Sequence, residues 1–364
     1  MSLFEKTRSW YGRFERPISS LSLIGGFLFD AVALKRVDTL WENIWILIHI
    51  VVVGVFIVLV HLKENESGDE GNPTKAHFWF VNILQFFFGG ILSAFLVFYF
   101  RSTDIWVTWP FLLVLALAFW ANESLKRHYM RLSFQISLFF LSIYSFAIFL
   151  MPVILHRIDT HTFIISGLVS LASIIIFIGI LFFFIKDKFK DSRRIISLSV
   201  SGIFVLVNFL YFTNLIPPIP LSLKEAGVYH SIQRNGEGNY NITYEENNGW
   251  KDYFKLYPDF KKTEGSPVYA YSAIFSPRAL DTVIVHEWQY FDEVNNKWVT
   301  DATIRLNVVG GRDGGFRTYS MRSNLSPHKW RVNIKTEQGK TIGHLRFNLV
   351  SVNTDPLFKE EVKE

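Results

Sequence analysis

The sequence predicts two unlike parts: a multi-pass α-helical membrane bundle of about seven helices, then a C-terminal all-β sandwich of immunoglobulin-like kind. Three observations carry this. Half of the 364 residues are hydrophobic and 36 are Phe, and the apolar runs are confined to residues 17–221. Beyond Leu223 the periodicity changes from helical to two. The change falls at Pro217, Pro218 and Pro220, which cannot continue a helix.

The membrane part can be taken in order. Residues 1–16, MSLFEKTRSWYGRFER, are a basic, aromatic, amphipathic lead. They do not look like a cleaved secretion signal, because the apolar run that follows leads straight to Lys35 and Arg36 with no small-residue cleavage pattern. A bilayer core takes about 20 apolar residues per helix. Six runs meet that length: Ile44–Leu62, His77–Phe100, Ile105–Ala121, Leu132–Leu155, Phe163–Ile185 and Ile195–Leu215. A seventh, Pro17–Leu34, is shorter, contains Gly25-Gly26 and carries Asp30. Short loops rich in Lys and Arg stay cytoplasmic. With all seven runs spanning residues 17–215 and the N-terminus inside, fourteen Lys and Arg fall inside and four (Lys35, Arg36, Arg101, Arg157) outside. The segment KDKFKDSRR, taken as a loop before the last helix, gives the strongest signal. The expectation is an N-terminus in the cytoplasm and a C-terminal domain on the far side. Trp41, Trp45, Trp106 and Trp109 near one face, and Trp79 and Trp120 near the other, suit interfacial belts.

Polar groups inside such runs are functional candidates by default. Asp30, Asn82 and Gln85 stand out. Asp30 lies a turn from the end of its run and close to Lys35, so it either pairs at the interface or serves as a coupling carboxylate. Asn82, Gln85, Gln135 and Asn208 suit bonds between helices, and Gly25-Gly26 and Gly89-Gly90 suit close helix packing. His156, Asp159 and His161 in HRIDTHT have a metal-like spacing, weighed against an ordinary solvated loop; no metal and no cofactor are expected. The chain has no Cys, which excludes thiol catalysis, Cys-ligated zinc and disulfides.

Residues 216–225 form a Pro-rich, semi-rigid linker. Residues 226–352 follow as the β domain, and 353–364 as a charged tail. Ile304, Leu306 and Val308 alternate with Thr303, Arg305 and Asn307. Trp330, Val332 and Ile334 alternate with Arg331, Asn333 and Lys335. Leu345, Phe347 and Leu349 alternate with His344, Arg346 and Asn348. Each is an antiparallel strand with one buried face. Further strands are expected at Gly227–Arg234, Tyr240–Tyr244, Val268–Phe275 and Thr282–Phe291, and a short helix or loop at Trp250–Phe260. Asn295-Asn296, the GGRDGG run at 310–315, Ser326-Pro327 and Gln338-Gly339 mark turns; GGRDGG is expected to close a hairpin. Seven or eight short strands at this spacing suit a sandwich.

The segments IPPIPLSLKEAGVYH, SPVYAYSAIFSP, HEWQYFDEVNNKW, FRTYSMRS and KWRVNIKTEQGKTIG, with the closing F-x-L-V, resemble the bacterial domain-of-unknown-function 2914 family over about residues 214–350. The resemblance implies an exported β domain of an envelope protein, often C-terminal to membrane helices. It brings no catalytic residues with it.

The alternation suggests a working surface. If Ile304, Trp330 and Phe347 face the core, Arg305, Arg331 and Arg346 point the other way with His344, and Arg317 and Tyr319 share a face on their own strand. Arg forks bind carboxylate and phosphate bidentately. The alternative is a solvated face on which these Arg residues pair with Glu287, Asp292 and Asp301. His286 and Trp288 share a face too; an exposed Trp288 could stack on a sugar. There is no GxSxG, HExxH, GxxxxGK[ST] or helix-opening GxGxxG, and an enzyme is not the favoured reading. The expectation is a bacterial inner-membrane protein whose periplasmic sandwich binds an acidic glycan, an anionic lipid or another envelope protein, and not nucleic acid. The alternatives are a transporter or lipid-modifying enzyme with its site among the helices, or a ligand sensor.

Overall fold

The computed structural model describes residues 25–34, 39–66, 75–101, 105–124, 131–218, 220–236, 239–246, 255–277, 280, 282–312 and 314–363. The chain divides into two compact units, a mostly helical one of Met1–Arg101 and Thr108–Ile219 and a mostly β one of Pro220–Glu364 with Ser102–Val107.

Seven helical segments are described: α1 (25–33), α2 (Leu40–Glu66), α3 (Lys75–Arg101), α4 (Ile105–Ser124), α5 (Leu132–Leu155), α6 (Thr160–Phe184) and α7 (Lys186–Phe212). Five of them, α2, α3, α5, α6 and α7, are long and apolar enough to cross a membrane. Residues 17–24 of the run expected at Pro17–Leu34 lie outside the described residues; the rest of it is α1. The helix α5 is central, packing against α2, α3, α6 and α7 and burying most of its length. One expectation fails here. KDKFKDSRR is not a loop: α6 and α7 are separated by Ile185 alone, and residues 186–194 form the first turns of α7. Their Lys and Arg side chains are good helix formers, and no Pro or Gly interrupts them.

Buried polar side chains tie the helices together, as their positions suggested. Gln85 Nε2 donates to Asn122 O at 3.0 Å, and Asn122 Nδ2 donates back to Gln85 O at 3.2 Å, joining α3 to α4. His61 Nε2 meets Gln135 Oε1 at 3.1 Å between α2 and α5. Asn208 Nδ2 on α7 donates to Tyr144 Oη on α5 at 3.1 Å. A Cβ on Gly89 would stand 3.3 Å from Asn122 Nδ2, so glycine there lets α4 approach α3.

The β unit has eleven described strands in three sheets: β1 (Ser222–Tyr229), β2 (Ser231–Arg234), β3 (Tyr240–Glu245), β4 (Asp259–Lys262), β5 (Val268–Phe275), β6 (Thr282–Asp292), β7 (Lys297–Val308), β8 (Phe316–Arg322), β9 (Lys329–Thr336), β10 (Thr341–Ser351) and β11 (Phe358–Lys363). One sheet runs β4-β10-β9-β6-β7, a second β1-β5-β8 and a third β11-β3-β2. The five-stranded sheet packs its inner face on β1-β5-β8, with Trp288, Val332, Ile334, Trp330 and Phe347 buried between them.

Four expectations are corrected. The strand expected over Gly227–Arg234 breaks at His230, where the chain leaves one sheet for another. Within the segment expected as helix or loop at Trp250–Phe260, the described end enters strand β4, which lies parallel to β10. The tail contains β11, which pairs along β3 from Phe358↔Glu245 to Lys363↔Tyr240; alternation there is masked by charge. GGRDGG does not close a hairpin, since β7 and β8 belong to different sheets. It makes a crossover in which close approach requires glycine at 310, where a Cβ would lie 1.9 Å from Pro277 O.

Candidate functional site: the outer face of the five-stranded sheet

Register places the candidate residues. In β9 and β10, Arg331 is opposite Arg346 and Asn333 opposite His344. In β6, Gln289 is opposite Arg331 and Glu287 opposite Asn333. On the far side of β6, Thr300 faces Gln289 and Thr303 faces Glu287. Two polar rows therefore cross the outer face: Thr300–Gln289–Arg331–Arg346 and Thr303–Glu287–Asn333–His344.

The rows are joined by hydrogen bonds. Arg331 Nε donates to Gln289 Oε1 at 2.6 Å, and Asn333 Nδ2 donates to the same oxygen at 3.0 Å and to Glu287 Oε2 at 2.8 Å. Lys335 Nζ reaches Glu287 Oε2 at 2.5 Å. Because the Asn333 amide nitrogen is committed as a donor, its Oδ1 faces His344 Nδ1 at 2.9 Å as an acceptor. The proton of neutral His344 therefore sits on Nδ1. Burial pushes the Glu287 carboxyl up, but the bonds from Lys335 and Asn333 outweigh it and hold the group below its ordinary value. Burial lowers Arg331; Tyr257 and Glu287 act against that, and neighbouring Arg346 adds to it.

An aromatic wall borders these rows. Phe291 and Trp298 are opposite each other in β6 and β7, with ring centroids 5.3 Å apart. The Arg331 guanidinium carbon lies 4.2 Å from the Trp298 ring centroid, a cation–π distance. Tyr257, two residues before β4, stacks on Trp298 at 6.3 Å and 16°. Strands β4 and β7 are the opposite edges of the sheet, about 19 Å apart at the usual strand spacing. The two rings therefore reach toward each other across the outer face.

Not every candidate belongs here. Arg305 is on the same face, but it is exposed and pairs with Glu337 at 3.3 Å. Arg317 and Tyr319 are on β8, in another sheet; Arg317 Nη1 reaches Asn239 Oδ1 at 3.5 Å. His286 and Trp288 point inward and are fully buried, which rules out the exposed-Trp288 stacking surface. They alternate with Val285, Glu287 and Gln289 and so fall on the core side. His286 Nε2 meets Ser272 Oγ at 2.9 Å, His286 Nδ1 meets Ser320 Oγ at 2.8 Å, and Trp288 Nε1 donates to Ser320 Oγ at 3.0 Å. They form a polar tie between the two packed sheets. Burial pushes His286 down to about 4.

Of the anticipated acid partners, Glu287 holds Lys335, Asp301 holds Arg322 at 2.7 Å, and Asp292 closes its own turn on Val294 and Asn295. None of them accepts from Arg331 or Arg346. In the helical unit Asp30 is buried beside Ser93; Lys35 lies outside the described residues. Asn82 is half-buried. The metal-like triad does not converge. Asp159 is the N-cap of α6, accepting from Thr162 N at 2.7 Å and pairing with Arg157. Among the described residues no group of three His, Asp or Glu could hold a metal. A cavity of about 480 Å³ between α2, α5 and α6 is lined by apolar side chains such as Val51, Val55, Phe139, Ile143 and Phe177.

Helices of membrane-crossing length joined to a β unit of stacked sheets define the class. Residues 281–349 match the family described as "Protein of unknown function (DUF2914)". The match begins at β6, so the segments at 216–230 and 266–277 that also suggested it lie outside. No curated protein matches the chain. Among solved structures, an immunoglobulin-like protein from Pseudomonas aeruginosa aligns at 6% identity, over 36% of this chain and 96% of that one, with a TM-score of 0.20. The Pseudomonas fluorescens alkylpurine DNA glycosylase AlkC, bound to DNA containing an abasic site analogue, aligns at 8% identity over 86% and 99%, with a TM-score of 0.22. Scores this low carry no argument about fold or activity.

Proposed function

We propose that the protein is anchored in a bacterial inner membrane by its helices and presents an immunoglobulin-like β unit in the periplasm, where the outer face of the five-stranded sheet binds an anionic ligand. One observation carries the binding reading. Arg331 and Arg346 stand opposite each other in register, and among the described residues no carboxylate accepts a hydrogen bond from either. Burial and Arg346 oppose the charge on Arg331 while Tyr257 and Glu287 support it, Arg346 itself has no acidic hydrogen-bond partner among the described residues, and the planar forks of the two groups suit carboxylate or phosphate. The anchoring reading is supported by the five long apolar helices and by their outward-facing apolar side chains: Trp41, Phe86, Phe183 and Leu198 are each more than 70% exposed, which water would not favour. The apolar lining of the cavity in the bundle favours an anchor over a transporter or membrane enzyme.

The test is binding of the full-length protein in detergent to an acidic polysaccharide and to vesicles containing phosphatidylglycerol. The double variant Arg331→Ala/Arg346→Ala should weaken binding at least about tenfold. Unchanged affinity would remove the anionic-face reading. For sidedness, a reporter fused after Glu364 should work only outside the cytoplasm; activity confined to the cytoplasm would overturn the topology.

A further inference from the structure

We infer that the ligand of this face is a sugar acid: a glycan residue whose carboxylate meets Arg346 and Arg331 and whose ring lies against the Tyr257–Trp298 wall. This rests on the anionic-face reading and narrows it to one class.

Four observations separate a sugar acid from a bare anion. First, the guanidinium pair is not on an open basic surface. It is bounded by Phe291, Trp298 and Tyr257, aromatic rings gathered from β6, β7 and the approach to β4. Phosphate alone has no use for such a wall, whereas the C–H face of a pyranose packs on aromatic rings as other apolar surfaces do. Second, Arg331 is pre-positioned. Its Nε is held by Gln289 and its guanidinium carbon lies over the Trp298 ring, so little side-chain freedom remains to be lost on binding. Third, the adjacent row holds Asn333 and His344 in one fixed arrangement, polar groups beside the Arg pair of the kind that orient a polyhydroxyl ligand. Fourth, the patch is discrete. Three basic groups nearby are engaged, Lys335 with Glu287, Arg305 with Glu337 and Lys255 with Asp259, while Lys329 and Lys261 are exposed toward the rim of the face. An anionic bilayer surface would be met by a broad field of unpaired Lys and Arg. Here the half-buried cations are one pair of Arg beside aromatic rings, with two exposed Lys at the rim.

The experiment uses the full-length protein in detergent and four probes: a trimer of galacturonic acid, the neutral galactose trimer, inorganic phosphate, and vesicles containing phosphatidylglycerol. Binding is read by calorimetry and by tryptophan fluorescence. The galacturonate trimer should bind and quench or shift the fluorescence. The neutral trimer and phosphate should not bind at the same concentrations. Arg346→Ala and Trp298→Ala should each weaken galacturonate at least about tenfold. Arg346→Lys should recover only part of the loss, because the fork is absent. The Arg346 side chain donates no hydrogen bond to another described residue, so its replacement leaves the β9–β10 ladder in place, and Arg234→Ala, exposed on the third sheet, should change nothing. Phosphate or vesicle binding that depends on Arg331 and Arg346, with no galacturonate binding, would overturn the sugar-acid inference and leave the anionic face standing. Galacturonate binding that ignores Trp298→Ala would also overturn it. Failure of every probe would overturn both.

Discussion

Acidification should loosen the β unit through one residue, His286. Its imidazole is fully buried between two sheets and held by Ser272 and Ser320, and burial lowers its pKa to about 4 from 6.5. The unfolded chain therefore binds a proton near pH 6.5 that the folded chain refuses until about pH 4. Stability contributed by the neutral buried ring is complete above pH 6.5 and is lost as pH falls through that window. The gap of about 2.5 pH units corresponds to about 3 kcal/mol by pH 4, and about 2 kcal/mol of it is gone by pH 5. Folded carboxylates act elsewhere: Glu287 and Asp259 are held below their ordinary values, so their losses come at lower pH. Hydrogen exchange of the full-length protein in detergent, read on amides of β5, β6 and β8, should show protection falling between pH 7 and 5 after correction for intrinsic rates. The variant His286→Gln keeps a polar group that does not titrate and should flatten that dependence while lowering stability at pH 7. Equal pH slopes in the wild type and His286→Gln would refute the reasoning.

Two further outcomes follow from the same fold. Gly310→Ala places a methyl 1.9 Å from Pro277 O, against backbone that cannot swing away; it should destabilise the β unit by about 2–3 kcal/mol, seen as a lower denaturant midpoint. Truncation after Pro356 removes β11, its pairing with β3, the Lys363–Glu225 bridge at 2.7 Å and the packing of Phe358 on His230; it should lower stability by about 2 kcal/mol and promote association through the bared β3 edge, measured by thermal melting and light scattering.

What the sequence made legible, and what it hid, turns on particular residues. The five long apolar helices were readable because a bilayer-length apolar run needs no tertiary information, but the charged start of α7 at Lys186 was not, because its residues carry no apolar signal. The Arg331–Arg346–His344 face was readable because β9 and β10 keep strict alternation. Trp298 was hidden by a bulge. In β7, Ala302 is opposite Trp288 but Thr300 is opposite Gln289, so Asp301 is an extra residue. Counting back by twos from Ile304 through Ala302 puts Trp298 on the core face; the bulge turns it to the outer face, beside Arg331. Such insertions re-aim a side chain without leaving a reliable mark in one sequence. Tyr257 was hidden for a different reason, since its meeting with Trp298 depends on strand order and joins the two edges of the sheet. By contrast, the burial of His286 was available from the residues alone: Ile284, His286, Trp288 and Tyr290 share a parity, and the company of Ile284 and Trp288 points to the core. The polar wall of the candidate site is thus local in origin and its aromatic wall is topological. That is why replacing Arg346 and replacing Trp298 probe separate parts of the proposal: the first removes charge the strand pattern already displayed, the second removes a surface that exists only once the sheet has formed.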